Sequence, residues 1–293
     1  MKKSVSKFIE EIKTALSPKT TNAQQEAWWI LQELTKKSDA ELITCDHLEL
    51  TKGQEEILAL WIKERVQEDK PLQYIFGHIP FCNLDVLVKE PILIPRPETE
   101  EWTNWLIEKI KKLDQDAQKI KILDMCTGSG CIALALGQEL PNAQITGADI
   151  NPKAIELSNG NKVHNKINNV NFIKSNLYKN IKEDKFDIKV SNPPYISKKD
   201  WQDLNPTVRN WEDERALVAK DNGYLALEEI IKGAKDYLIE NEQLKALRIP
   251  QIVLEFGQSQ ENKIKTILES HNFKNIEIWQ DLNSIHRWAS ATL

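Results

Sequence analysis

Lys119-Ile120-Lys121-Ile122-Leu123-Asp124-Met125-Cys126-Thr127-Gly128-Ser129-Gly130 is the stretch whose reading decides the fold. Ile120 to Asp124 predicts a short strand from its apolar, β-branched pattern. Cys126 to Gly130 is a turn, and Cys131 to Leu140, rich in alanine and leucine, predicts a helix. The two glycines let the backbone approach a ligand, and the helix N-terminus that follows offers unpaired N–H groups. Strand and helix then alternate. Ala143 to Ala148 is a second strand ending in Asp149, and Pro152 starts a helix. Val170 to Lys174 is a third strand followed by Ser175-Asn176-Leu177, and Phe186 to Val190 is a fourth. A helix over Leu225–Ile239, a strand over Ile252–Phe256 and a helix over Asn262–Glu269 continue the series. Phe273–Trp279 and Arg287–Ala291 predict a closing antiparallel pair. The rhythm is that of an α/β domain, a largely parallel sheet with helices on both faces.

Asp149 lies about 20 residues past the loop, where a carboxylate holds a ribose diol. With Cys126, Thr127, Gly128, Ser129 and Gly130 it marks a nucleoside site. Gly128-x-Gly130-x-x-Ala133 also fits the dinucleotide fingerprint, so the loop alone leaves the cofactor open.

A second motif narrows it. After the fourth strand comes Ser191-Asn192-Pro193-Pro194-Tyr195-Ile196. The prolines end the strand, and Pro193 holds Asn192 extended. The Asn192 side-chain oxygen and the Pro193 carbonyl can each accept one proton of a planar NH2 group, and Tyr195 adds an aromatic face. Taken alone, Asn-Pro-Pro is also a plain turn. In a doubly wound sheet the first and fourth strands are neighbours, so both motifs open into one crevice. Methyl transfer from S-adenosyl-L-methionine to nitrogen explains that pairing. Hydride transfer wants a proton donor, and no histidine or lysine is attached to either motif.

Residues 1–70 read as helices only, with apolar positions at Val5, Phe8, Ile9, Ile12 and Leu16, then Ala27, Ile30, Leu31 and Leu34, and a later set from Ile57 to Val66. Asn22 and Ser38 or Asp39 are candidate helix starts. Residues 71–96 read as a β-hairpin linker, with short strands at Leu72–Phe76, Ile79–Phe81 and Leu84–Val88. Pro97 then suits the first position of a helix running to about Lys112, and Arg96 stands between two prolines. Residues 97–293 are the catalytic domain. Net charge is -5 with signs mixed, which argues against direct nucleic acid binding. The four cysteines form no C-x-x-C pair, so no metal site is expected and a reducing cytoplasmic setting fits. No apolar run reaches membrane-spanning length, and Glu10 and Glu11 interrupt any signal-peptide core.

Nearly the whole chain resembles the release-factor glutamine methyltransferases (HemK/PrmC type). Pro71-Leu72-Gln73-Tyr74-Ile75-Phe76-Gly77, Leu93-Ile94-Pro95-Arg96-Pro97-Glu98-Thr99-Glu100, Thr127-Gly128-Ser129-Gly130, Asp149 and Ser191–Ile196 carry the resemblance. It implies a Rossmann-like class I S-adenosylmethionine-dependent methyltransferase domain behind a small all-helical, substrate-binding N-terminal domain. It implies a monomer acting on the Gly-Gly-Gln glutamine of class 1 peptide chain release factors, giving N5-methylglutamine. Asn192, Pro193, Pro194 and Tyr195 would hold the glutamine. Asn176, Leu177 and Asn192 would join the glycine loop around the cofactor. Cys126 and Ser284 stand where the family usually has glycine, Asn176 where it often has an acid, and Asp213 where it has proline. A ribosomal-protein glutamine methyltransferase, a DNA adenine methyltransferase and a non-catalytic release-factor binder are the alternatives. The Pro-Arg-Pro-Glu-Thr-Glu run separates the chain from the first, and the lack of a base-recognition domain and basic surface from the second.

Overall fold

The computed structural model describes residues 3–114, 119–182 and 185–293. Two compact units emerge, Met1–Gly77 with Asn205–Trp211, and His78–Leu204 with Glu212–Leu293.

The first unit is helical, with α1 (Val5–Leu16), α2 (Ala23–Thr35), α3 (Asp39–Ile43), α4 (Lys52–Gln67) and α5 (Leu72–Phe76). Ser38 and Thr51 form capping boxes with Glu41 and Gln54. Asn22 stands at the start of α2 but makes no side-chain cap. Phe8, Ile12 and Leu16 of α1 pack with Ala27, Ile30 and Leu31 of α2 around Leu42 and Leu72. Leu72–Phe76 corrects the expected strand. Five residues, four of them apolar, are too few for a period to decide. Here the Pro71 carbonyl accepts from Tyr74 and Ile75, and Gly77, at φ +83°, closes the turn onto Gln73.

The second unit opens with the expected hairpin, β1 (His78–Phe81) and β2 (Leu84–Leu87). Then come α6 (Pro97–Ile110), β3 (Lys121–Met125), α7 (Cys131–Glu139), β4 (Gln144–Asp149), α8 (Pro152–His164), β5 (Val170–Lys174) and β6 (Ile188–Ser191). After several short turns follow α9 (Leu225–Tyr237), β7 (Ile252–Glu255), α10 (Glu261–Ser270), β8 (Lys274–Gln280) and β9 (His286–Thr292). The sheet order is β5-β4-β3-β6-β7-β9-β8, parallel from β5 to β7 and antiparallel beyond. Successive side chains leave opposite faces. Ile122, Ile188, Val190 and Val253 face a core shared with α6, α7 and the hairpin. Leu123, Ile252 and Leu254 face one shared with α9 and α10. Residues from both faces are buried along β3, β6 and β7, as in a parallel sheet covered by helices on both sides.

Candidate active site

The chain order reverses between β3 and β6, and their register pairs Met125 with Ser191. The Ser191 hydroxyl donates to the Met125 carbonyl at 2.6 Å. The next residues, Cys126 and Asn192, therefore leave the sheet side by side. They border a cavity of about 360 Å³ that Gly128, Asp149, Asn176 and Leu177 also line. That is within the range of small-molecule sites, at the sheet position where such sites form.

Thr127, Ser129 and Gly130 lie behind this wall, not on it. The Thr127 hydroxyl donates to Asp124, and the Ser129 carbonyl accepts from Asn161. Gly128 and Gly130 have φ of +55° and +83°, and a Cβ on Gly130 would come within 2.8 Å of Phe172. Only glycine fits there. Cys126 is also left-handed, at φ +60°, as is Ser284 at +61°. Both departures from glycine keep the glycine conformation. Asp213 has φ -65°, open to proline, but its N–H donates to the Pro91 carbonyl and its side chain caps the next turn.

The Asp149 carboxylate accepts from the Gly128 N–H at 2.9 Å and the Asn151 N–H at 2.8 Å. Burial raises its pKa, partly offset by these N–H groups. Burial pushes Asp124 up to about 7, and its Oδ1 is buried without a partner. The Cys126 thiol is pushed far up, first by burial and then by the charges of Asp149 and Asp124.

Asn192 is held by a residue of the Pro-Arg-Pro-Glu-Thr-Glu run. Its Nδ2 donates to the Thr99 hydroxyl at 3.0 Å, and that hydroxyl donates to Glu255 at 2.6 Å. Glu255, at the end of β7, also accepts from Trp102 at 2.9 Å and Tyr195 at 3.1 Å. Pro193, Pro194, Tyr195 and Arg96 line a smaller cavity beside Asn192. Arg96 bonds both oxygens of the buried Glu212, at 2.8 and 2.6 Å. The Tyr195 carbonyl accepts from Gln260 and lies where a Cβ on Gly223 would be, 2.1 Å away. Gly223, at φ +92°, is thus the floor of the proline turn.

Sequence reasoning missed Thr99, Glu255, Gln260 and Gly223 as parts of the site. Glu255 left one trace, a carboxylate ending an apolar strand. Asp221-Asn222-Gly223 reads as a turn, with nothing to say what it supports. In the segment after the proline turn, Trp201 is buried, and Trp211 is half-buried with its indole N–H on the Glu68 carbonyl. Among the described residues no cluster suits a metal ion and no helix is long and apolar enough to cross a membrane.

A cavity at the strand reversal with an oriented amide on its rim fits a Rossmann-like methyltransferase. A family model described as Methyltransferase small domain matches residues 98–208, and one described as PrmC N-terminal domain matches residues 8–77. A Release factor glutamine methyltransferase of Thermodesulfovibrio yellowstonii is 34% identical, the match covering 96% of each chain. One of Francisella tularensis is 36% identical, over 89% of this chain and 92% of that one. One of Fusobacterium nucleatum is 40% identical over 77% of this chain, a match spanning 60% of that relative's length. The chain belongs to the release factor glutamine methyltransferase family. The hMettl16 catalytic domain, solved with the MAT2A 3'UTR hairpin 6, shares the fold at a TM-score of 0.54 and 14% identity, covering 90% of this chain and 92% of that one.

Proposed function

We propose that this protein methylates the side-chain amide nitrogen of the Gly-Gly-Gln glutamine in class 1 peptide chain release factors, using S-adenosyl-L-methionine. One observation carries the reading. Asn192, fixed through Thr99, borders both the large cavity and the smaller one lined by Pro193 and Tyr195.

The larger cavity suits the cofactor. The Asp149 carboxylate has lone pairs left for a ribose diol after its two N–H bonds. Ile150 and Leu177 offer apolar faces to a base, and Asn176 a polar edge. When bound, S-adenosylmethionine supplies a methyl group on a sulfonium sulfur that leaves as a neutral thioether. Asn192 Oδ1 and the Pro193 carbonyl take the two N–H protons of the glutamine amide and fix the direction of its nitrogen. Positioning of this kind accounts for much of a barrier reduction. Tyr195 shapes the acceptor side, its hydroxyl kept protonated by burial and by Glu255. No side chain has to act as a base, and the displaced proton leaves to water. On this reading the enzyme works in the cytoplasm with its substrate.

The test is intact-mass and peptide mapping of a class 1 release factor after incubation with this protein and S-adenosylmethionine, with ribosomal proteins and plasmid DNA in parallel. One methyl on the Gly-Gly-Gln glutamine is the expected result. Label only in DNA or a ribosomal protein refutes the substrate and keeps the chemistry.

A further inference from the structure

We infer that Thr99 and Glu255 are positioning residues that set which end of the Asn192 amide faces the acceptor. The inference rests on the reading above and deepens it.

An asparagine amide is nearly symmetric in shape and opposite in chemistry at its two ends. With Oδ1 toward the substrate it accepts a proton from the glutamine NH2. Flipped by half a turn, it would press one NH2 group against another. Something must choose between the two. Thr99 Oγ1 is the neighbour on Nδ2, and a hydroxyl has one proton to donate. That proton is committed to Glu255 Oε2 at 2.6 Å, the shorter of the two bonds. Thr99 can then only accept from Asn192, and Nδ2 must be the end that faces it.

The direction is held one step further back. Trp102 Nε1 donates to the same Oε2 at 2.9 Å, and an indole N–H cannot accept. As a carboxylate Glu255 only accepts, Oε2 from Thr99 and Trp102 and Oε1 from the Tyr195 hydroxyl. The relay runs one way: Asn192 to Thr99 to Glu255, with Trp102 as the stop. Thr99, Trp102 and Glu255 are buried, so water is a poor substitute for any link. Two strand ends and a helix start meet in it, and this is what the Pro-Arg-Pro-Glu-Thr-Glu run contributes. Pro97 begins α6, and its first turn delivers Thr99 under Asn192.

The relay predicts an unusual order of tolerance. Glu255→Gln should keep most of the rate, since a glutamine oxygen can take the Oε2 place and its NH2 can face Tyr195. Thr99→Val keeps the shape but removes the link. It should lower kcat at least tenfold, leave the Kd of S-adenosylmethionine within twofold, and be rescued by Thr99→Ser.

The experiment is a double-mutant cycle of Thr99→Val with Asn192→Ala, reading kcat on a class 1 release factor and cofactor Kd by calorimetry. Once Asn192 is gone there is no amide to orient, so Thr99→Val should have no further effect on kcat. Full additivity, or a kcat for Thr99→Val equal to wild type, overturns the relay while the wild-type activity keeps the proposed function. No methyl transfer by the wild-type protein overturns the proposed function, and the relay with it.

Discussion

Arg96→Met tests how the loop before α6 is held. Glu212 is 5% exposed and its carboxylate has two kinds of donor, the Arg96 guanidinium at 2.8 and 2.6 Å and the Ile94 backbone N–H. Removing one partner of a buried pair costs about 3–5 kcal/mol, because the other charge is left in a dry site. Arg96 is 30% exposed on its side chain, and the Ile94 N–H stays. Both facts lower the cost, to roughly 2–3 kcal/mol. For a domain of this size that is a fall in Tm of about 5–10 °C. The sign with pH follows from Glu212, whose pKa burial already raises despite Arg96. Between the ordinary glutamate value and the raised one, the folded protein binds more protons than the unfolded one. Stability therefore falls as pH rises through that window. Without Arg96 the folded pKa rises further and the window widens. The defect should be larger at pH 8 than at pH 5, and Glu212→Gln should remove most of that difference. Thermal and urea unfolding at the two pH values measure it. An Arg96→Met defect of the same size at both would mean that the pair is no more than a surface contact.

Asp149→Ala should weaken S-adenosylmethionine at least tenfold by calorimetry, a loss of about 1.4 kcal/mol or more, and unchanged affinity would remove Asp149 from the cofactor site. Gly223→Ala should cost about 1–3 kcal/mol for the left-handed backbone alone, with a clash on the Tyr195 carbonyl added. Wild-type stability in urea would show that the turn gives way freely. Burial lowers Lys189 to about 6, so the folded protein binds fewer protons than the unfolded one from there up to the ordinary lysine value. Stability from this group rises with pH across that range. Lys189→Met should thus raise Tm near neutral pH, the Ala234 carbonyl keeping its bond from Leu238, and the gain should shrink toward pH 10. A gain that does not change with pH would show that the ammonium charge is not the cause.

How much of this was legible in the sequence depended on distance along the chain. The strands of the parallel sheet were, because apolar residues recur locally and each strand is followed by its own helix or turn. The nearness of Cys126 and Asn192 was too, because strand order in doubly wound sheets follows few rules. Leu72–Phe76 was not, being too short for a repeat to tell strand from helix. The partners of Asn192 were not either. Thr99 and Glu255 are 156 residues apart, and Arg96 and Glu212 are 116 apart. Each reads alone as an ordinary polar residue at a helix start, a strand end or a loop. Cys126 and Ser284 looked like losses of glycine. The structure holds both at positive φ, the region glycine enters most readily.

Cys126 has a further consequence for chemical self-protection. Sulfur anions are the strongest nucleophiles a protein carries, and this thiol lines the cavity read as holding an alkylating agent. A thiolate there would compete with the intended acceptor and end as a dead S-methyl adduct. Burial and the neighbouring charges of Asp149 and Asp124 keep the proton on sulfur. The Asp149 carboxylate, read above as the partner of the ribose, thereby also helps hold the proton on this thiol.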